Sequence, residues 1–307
     1  MLRFFISRLL QGMIVIVAVI VVTFLMLKKA PGSPYDKERG TSAVAREKLD
    51  QLYGLDKPAH VQLWMHLQKY AWLDPGPSDR YKGKSVVEII ADSFPVSAAF
   101  GLPALLIAIG LGVPLGALAA LKPGSLEDRA AMLFATLGIC APSLVLGPVI
   151  AMVFGLELGW FNASGWYDSG DWVLPAATLG IIYAAYVARL TRGGLRETLA
   201  KDFIRTARAK GASEGAVVFR HAFKLACLPL LNFLGPAAAG LLTGSFVIEI
   251  VFQIPGLGQH LVSAAVNRDY ALASATAAFY AAMIVGFNLV VDVVQALLNP
   301  RIGFHES

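Results

Sequence analysis

Glu249 and Asp292 are the acids that interrupt the long apolar runs of this 307-residue chain. A carboxylate inside such a run is the residue type that relays protons or lines an ion path. Read as helices at 1.5 Å per residue, the runs place the two acids at depths about 20 Å apart, so they do not form one relay directly. Each acid is either satisfied by neighbouring helices and interfacial water or belongs to a translocation path or gate, and Asn288, one turn before Asp292, is in position to partner it. Other chemistry is scarce. No HExxH, GxSxG, paired metal-ligand motif or complete phosphate loop occurs. Gly83-Lys84-Ser85 ends like a phosphate loop, but Ser78 stands where the first glycine belongs. His60 and His66 do not share a helical face, and Cys140 and Cys227 lack CxxC spacing and read as small buried hydrophobes. The chain therefore reads as no enzyme, and any uphill movement it performs draws on an ion gradient or on a partner.

A second group of residues points to a partner. The stretch from Arg189 to Pro229 is basic and helix-forming, wedged between two apolar runs. Ala200, Phe203, Ile204, Ala207 and Gly211 fall on one helical face and Lys201, Arg205 and Arg208 on another. Gly211 suits a helix C-terminus, Lys210 suits the dipole there, and Ser213 can cap a second helix through Val217, Val218, His221 and Leu225. Helix, tight turn, helix is the expectation. By itself this pattern also fits a solvated cytoplasmic loop that only sets topology.

The elements that carry these residues are membrane spans. With 56% hydrophobic and 15% charged residues the chain is too apolar for an ordinary soluble domain, and its net charge of +5 lies beside apolar runs, a distribution that orients a membrane protein and does not suit nucleic acid. Residues 1–27 read as an N-terminal tail and an uncleaved first span, Leu9–Leu27, with the N-terminus inside. Residues 28–93 read as an extracytoplasmic cap with helices near Ala43–Tyr53 and Lys57–Leu73, and Val86–Ile90 as a short interfacial helix. Residues 94–307 supply five further spans: Pro95–Leu121, Ala130–Leu156 bent by Pro142 and Pro148, Val173–Leu190, Pro229–Phe252 and Ala271–Leu298, with Gln253–Tyr270 as an external loop and 191–228 as a cytoplasmic one. Trp160, Trp166 and Trp172 anchor the outer interface. The fold class is all-α, a polytopic membrane protein of six spans with both ends cytoplasmic.

Four stretches, in order along the chain, resemble the B-type permease subunits of bacterial oligopeptide and dipeptide ABC importers. They are Leu25–Pro34 (LMLKKAPGSP), Phe203–Gly211 (FIRTARAKG), Val247–Gly258 (VIEIVFQIPGLG) and Asn267–Tyr270 (NRDY), while Ser93–Ala98 (SFPVSA) leans toward the oligopeptide branch. The resemblance implies a type I ABC importer permease in the bacterial inner membrane. Its implied partners are membrane lipid, a second homologous permease, two cytoplasmic ATPases that use ATP and Mg, and an extracytoplasmic peptide-binding protein; this chain binds no cofactor. Phe203, Ile204, Arg205, Thr206, Ala207, Arg208, Ala209, Lys210 and Gly211 then become the coupling helix that seats on an ATPase, with small Ala207 and Gly211 permitting close docking. The broader importer signature, Glu-Ala-Ala followed by Gly, stands here as Thr206-Ala207-Arg208 before Gly211, so no role passes to the glutamate. Dipeptides or metal chelates are alternative cargoes. From different classes come an ion-coupled secondary transporter using Glu249 or Asp292, and a scaffold whose basic loop recruits a regulator.

Overall fold

A computed structural model describes residues 2–29, 57–71, 74–78, 80–81 and 83–298. The expected helix at 43–53 lies outside them. Five described helices are long and apolar enough to cross a membrane: α1 (Leu2–Lys29), α3 (Val86–Leu121), α6 (Val173–Leu199), the run Leu228–Val251, which contains α9 (Leu228–Leu242) and α10 (Phe246–Val251), and α12 (Tyr270–Leu298). A bent pair, α4 (Leu126–Cys140) and α5 (Ser143–Ile150) with its π-helical continuation Ala151–Glu157, makes six if counted as one span. The remaining helices are α2 (Ala59–Ala71), α7 (Asp202–Ala209), a composite α8 over 214–226, and α11 (Leu257–Asn267).

α3 and α6 form the central pair because glycines remove the side chains that would hold them apart. A Cβ on Gly112 would meet Val187 and Ala184 O, one on Gly116 would meet Ala188 O, and one on Gly180 would meet Ile107. Around this pair Phe100, Leu174, Leu179, Leu241, Ile248, Phe252 and Ile254 make the main buried cluster. By contrast α1 exposes Leu9, Leu10, Ile14 and Met26, an apolar surface suited to lipid.

The structure departs from the sequence expectations in several places. Val86–Ile90 is the first turn of α3, closed by a capping box between Ser85 and Glu88, and Val86 and Ile89 are buried with Leu27 and Leu272. α6 continues two and a half turns beyond Leu190, since Thr191, Leu195 and Thr198 keep burying one stripe. The third span turns through 105° between Cys140 and Ser143, at Pro142. The external loop 253–270 contains α11. Cys140 is exposed and only Cys227 is buried.

Outside the bundle, α2 lies on α1 with the His66 ring between Phe24 and Tyr70, at 5.4 and 4.9 Å. Burial, then nearby Lys69, lowers the His66 pKa to about 4. The loop before α6 folds on Asp171, which accepts from Tyr167 N, Asp168 N and Asn162 Nδ2. Burial works against that charge, yet these donors outweigh it and hold the carboxyl below its usual range.

Candidate functional site

The basic elbow forms as its pattern dictates. α7 buries Ile204 against Val217, Val218, Ala222 and Leu195 and also buries Ala207, while Arg205, Thr206, Arg208, Ala209 and Lys210 stay exposed. Thr206 Oγ1 donates to Asp202 O at 3.2 Å, and Arg205 pairs loosely with Asp202 at 3.5 Å. Gly211 has φ +80°, a left-handed turn that glycine enters without strain, and Gly211 N and Ala212 N close the helix end on Arg208 O and Ala207 O. Ser213 then accepts from Ala216 N at 3.4 Å. Arg208 grips Glu214 across the turn with two bonds of 2.8 and 3.0 Å, and the guanidinium holds the Glu214 carboxyl below its usual range.

Phe203, His221 and the second helix depart from the sequence reading. Phe203, assigned to the packing face, is 40% exposed, and His221 is exposed as well. Ala207 is buried, and a Cβ built on Gly211 meets nothing within 4 Å among the described residues. The second helix is α-helical only at Glu214–Ala216 and Phe223–Ala226, and Val217–Ala222 between them is π-helical. That extra residue per turn accompanies a 75%-exposed Phe219 on the outer surface, which the sequence reading missed. Also missed was the pair of half-buried Arg192 with buried Asp128, at 2.5 and 2.8 Å, which fastens α4 to α6. Its two members lie 64 residues apart, beyond the reach of any local pattern.

The acids sit in separate environments. Glu249 has no exposed surface. Its Oε1 accepts from Ser97 Oγ at 2.8 Å and its Oε2 from Gln259 N at 2.6 Å, while Ser97 Oγ accepts from Leu257 N at 2.8 Å. Gly244, Gly256 and Gly258 form the walls, and a Cβ at Gly244 or Gly256 would overlap the carboxylate. Asp292 instead pairs with Arg8 of α1 at 3.1 Å; Asn288 lies against Gly235 of α9, so the ion-pair partner is an arginine from another helix. A third acid, Asp269, was singled out only as part of the NRDY stretch. It accepts from Ser78 Oγ, Arg80 N and Leu272 N, which caps α12 and ties Ser78 and Arg80 to it. Among the described residues no three His, Cys, Asp or Glu side chains cluster as a metal site.

Residues 112–304 match the family model of the binding-protein-dependent transport system inner membrane component, and residues 1–72 match that of the N-terminal part of such membrane components. The oligopeptide transport system permease protein OppB of Haemophilus influenzae is 39% identical over 306 residues, covering 99% of this chain and 100% of the relative. OppB of Salmonella typhimurium is 40% identical over the same length. The dipeptide transport system permease protein DppB of Bacillus subtilis is 38% identical over 307 residues, the whole of both chains. Among solved structures, an amino acid ABC transporter with histidines superposes with TM-score 0.54 at 16% identity, covering 69% of this chain and 94% of that one. The MetNI methionine ABC transporter in inward-facing conformation gives 0.50 at 18%, covering 70% and 94%. These two likenesses speak to the fold.

Proposed function

The chain belongs to the binding-protein-dependent transport system inner membrane components, and from that membership we propose that it is the permease subunit of an ATP-driven importer of oligopeptides. It would pair with a second permease, sit on two cytoplasmic ATPases that consume ATP and Mg, and receive cargo from an extracytoplasmic binding protein. Both chain ends and the elbow would then face the cytoplasm. The observation that carries this reading is the elbow's division of labour: Ile204, Ala207 and Val217 anchor it in the bundle, while Phe203, Arg205, Lys210 and Phe219 remain on its outer surface. Exposed aromatics among cations are what a protein groove binds, and rigid anchoring lets a push on the elbow reach α6 and α9. Glu249, Asn288 and Asp292 would act from between the helices, behind the surface of the path or gate.

The test is to tag the chain, extract it gently and identify what co-purifies. An ATPase pair and a second six-span subunit are expected. The ATPases should be lost from an Arg205→Glu/Phe219→Asp variant that still inserts; a chain recovered alone would sink the reading. Uptake of dipeptides against longer peptides by the reconstituted complex then decides the cargo.

A further inference from the structure

Among the described residues two spans are interrupted, one with a 105° bend, and discontinuous helices in transporters form the site around which the rest of the bundle moves. The break in the fifth span comprises Thr243, Gly244 and Ser245. Gly244 has φ +96° there, and the Tyr280 hydroxyl donates to Thr243 O and Gly244 O at 2.7 and 3.0 Å. Glu249 closes the corner from within. Its carboxylate takes a hydroxyl from α3, through Ser97, and a backbone N–H from the first turn of α11, while Ser97 accepts a second N–H from the same turn. One buried group thus joins α3, α10 and α11. The break in the third span is built differently. Pro142 leads into α5 without a side-chain cap, and α5 meets the fifth span through apolar contact, a Cβ on Gly147 lying 3.0 Å from Val251 Cγ1.

We propose that Glu249 is a positioning residue that locks the fifth-span corner as a permanent part of the frame, leaving the third-span elbow at Ala141-Pro142 as the hinge of the outer closure. The proposal rests on the importer reading for its driving force. The physical ground is the contrast in what motion would break. Straightening the fifth span would strip the Ser97 and Gln259 hydrogen bonds from Glu249, whose carboxylate has no exposed surface, whereas swinging α5 exchanges one apolar contact for another.

The test uses the assembled complex in nanodiscs, with Cys140→Ser and Cys227→Ser removing the native thiols. Spin labels at Leu102→Cys and Ile250→Cys report α3 against the fifth-span corner, and labels at Leu102→Cys and Leu144→Cys report α3 against the third-span elbow. Between nucleotide-free and ATP–vanadate-trapped states, the first distance should hold within about 2 Å and the second should shift by about 5 Å or more. A shift of that size in the first pair, or a fixed second pair in a complex that turns over ATP, overturns the proposal. A wild-type complex without ATP turnover counts against the importer reading instead. As a check independent of partners, Ser97→Ala in the chain alone should speed hydrogen exchange at Leu257 N at least tenfold, with Ser97→Thr restoring protection; unchanged exchange would show that the clasp holds nothing.

Discussion

The corner at 243–245 and the elbow at 141–142 answer the same problem, freed backbone groups at a helix break inside a membrane protein, by opposite means. At the first, polar side chains from distant helices converge: Ser97 and Tyr280 come from α3 and α12 to meet Glu249 and the open carbonyls. At the second, proline removes the donor, Ala141 N closes on Leu137 O at 2.8 Å, and apolar neighbours do the rest. A break satisfied by distant side chains is stiff because moving it leaves those groups buried and unpaired. A break satisfied locally carries its hydrogen bonds with it.

The comparison breaks if both sites respond alike to truncation. Glu249→Ala strands donors on Ser97 and Gln259 and should cost about 2–6 kcal/mol, at ~1–3 kcal/mol per orphaned group, in unfolding followed by circular dichroism in detergent. Pro142→Ala should cost less than about 1 kcal/mol, since it changes only the freedom of the chain before α5. Equal losses would remove the distinction.

Glycines sharpen it at a smaller scale. Gly244 and Gly211 both have left-handed φ, +96° and +80°, but the first abuts Glu249 and Ser97 and the second faces open space. Alanine at Gly211 should therefore cost about 1–2 kcal/mol, the backbone penalty alone. Alanine at Gly244 should exceed that by a further ~1–3 kcal/mol of overpacking in the same unfolding assay.

Acid should loosen the outer layer around the locked corner and spare the elbow. His66 is depressed to about 4 by burial, and His260 on α11 is lowered by burial and by Lys84. Freed from the fold, each imidazole takes up a proton near its ordinary value of about 6.5, while the packed ring refuses it. Stability of α2 and α11 is thus complete above about 6.5 and falls with pH below it, toward 4 for His66. Hydrogen-exchange protection, taken relative to the intrinsic rate at each pH, should fall in 59–71 and 257–267 from pH 7 to 5 and hold in 143–150, and His66→Phe should flatten the response of α2. This effect should be the smallest of the three.

Much of the basic helix pair at 202–226 was legible in the sequence because its logic is local. A 3.6-residue period chose Ile204 and Ala207 for burial, Gly211 marked the turn and Ser213 the next cap. Phe203 was misassigned because a residue at the edge of a helical stripe is decided by what stands opposite, and among the described residues its neighbours leave it 40% exposed. The π-helix at Val217–Ala222 was invisible, since no local residue type demands one. Glu249 drew notice as an acid in an apolar run, yet its donors could not be named: Ser97 is 152 residues away.

Sequence alone determined that the chain is helical, that it crosses a membrane several times and that a basic helix pair lies between two spans. Composition, run length and periodicity are properties of neighbouring residues, and the bilayer penalises any other use of them. Only the tertiary structure decided that α4 and α5 meet at 105°, that Asp292 belongs to Arg8 and Asp128 to Arg192, and that Glu249 joins three elements at one corner. Those facts depend on which distant groups arrive at one place, and a buried charge or an open carbonyl is stable only where they do.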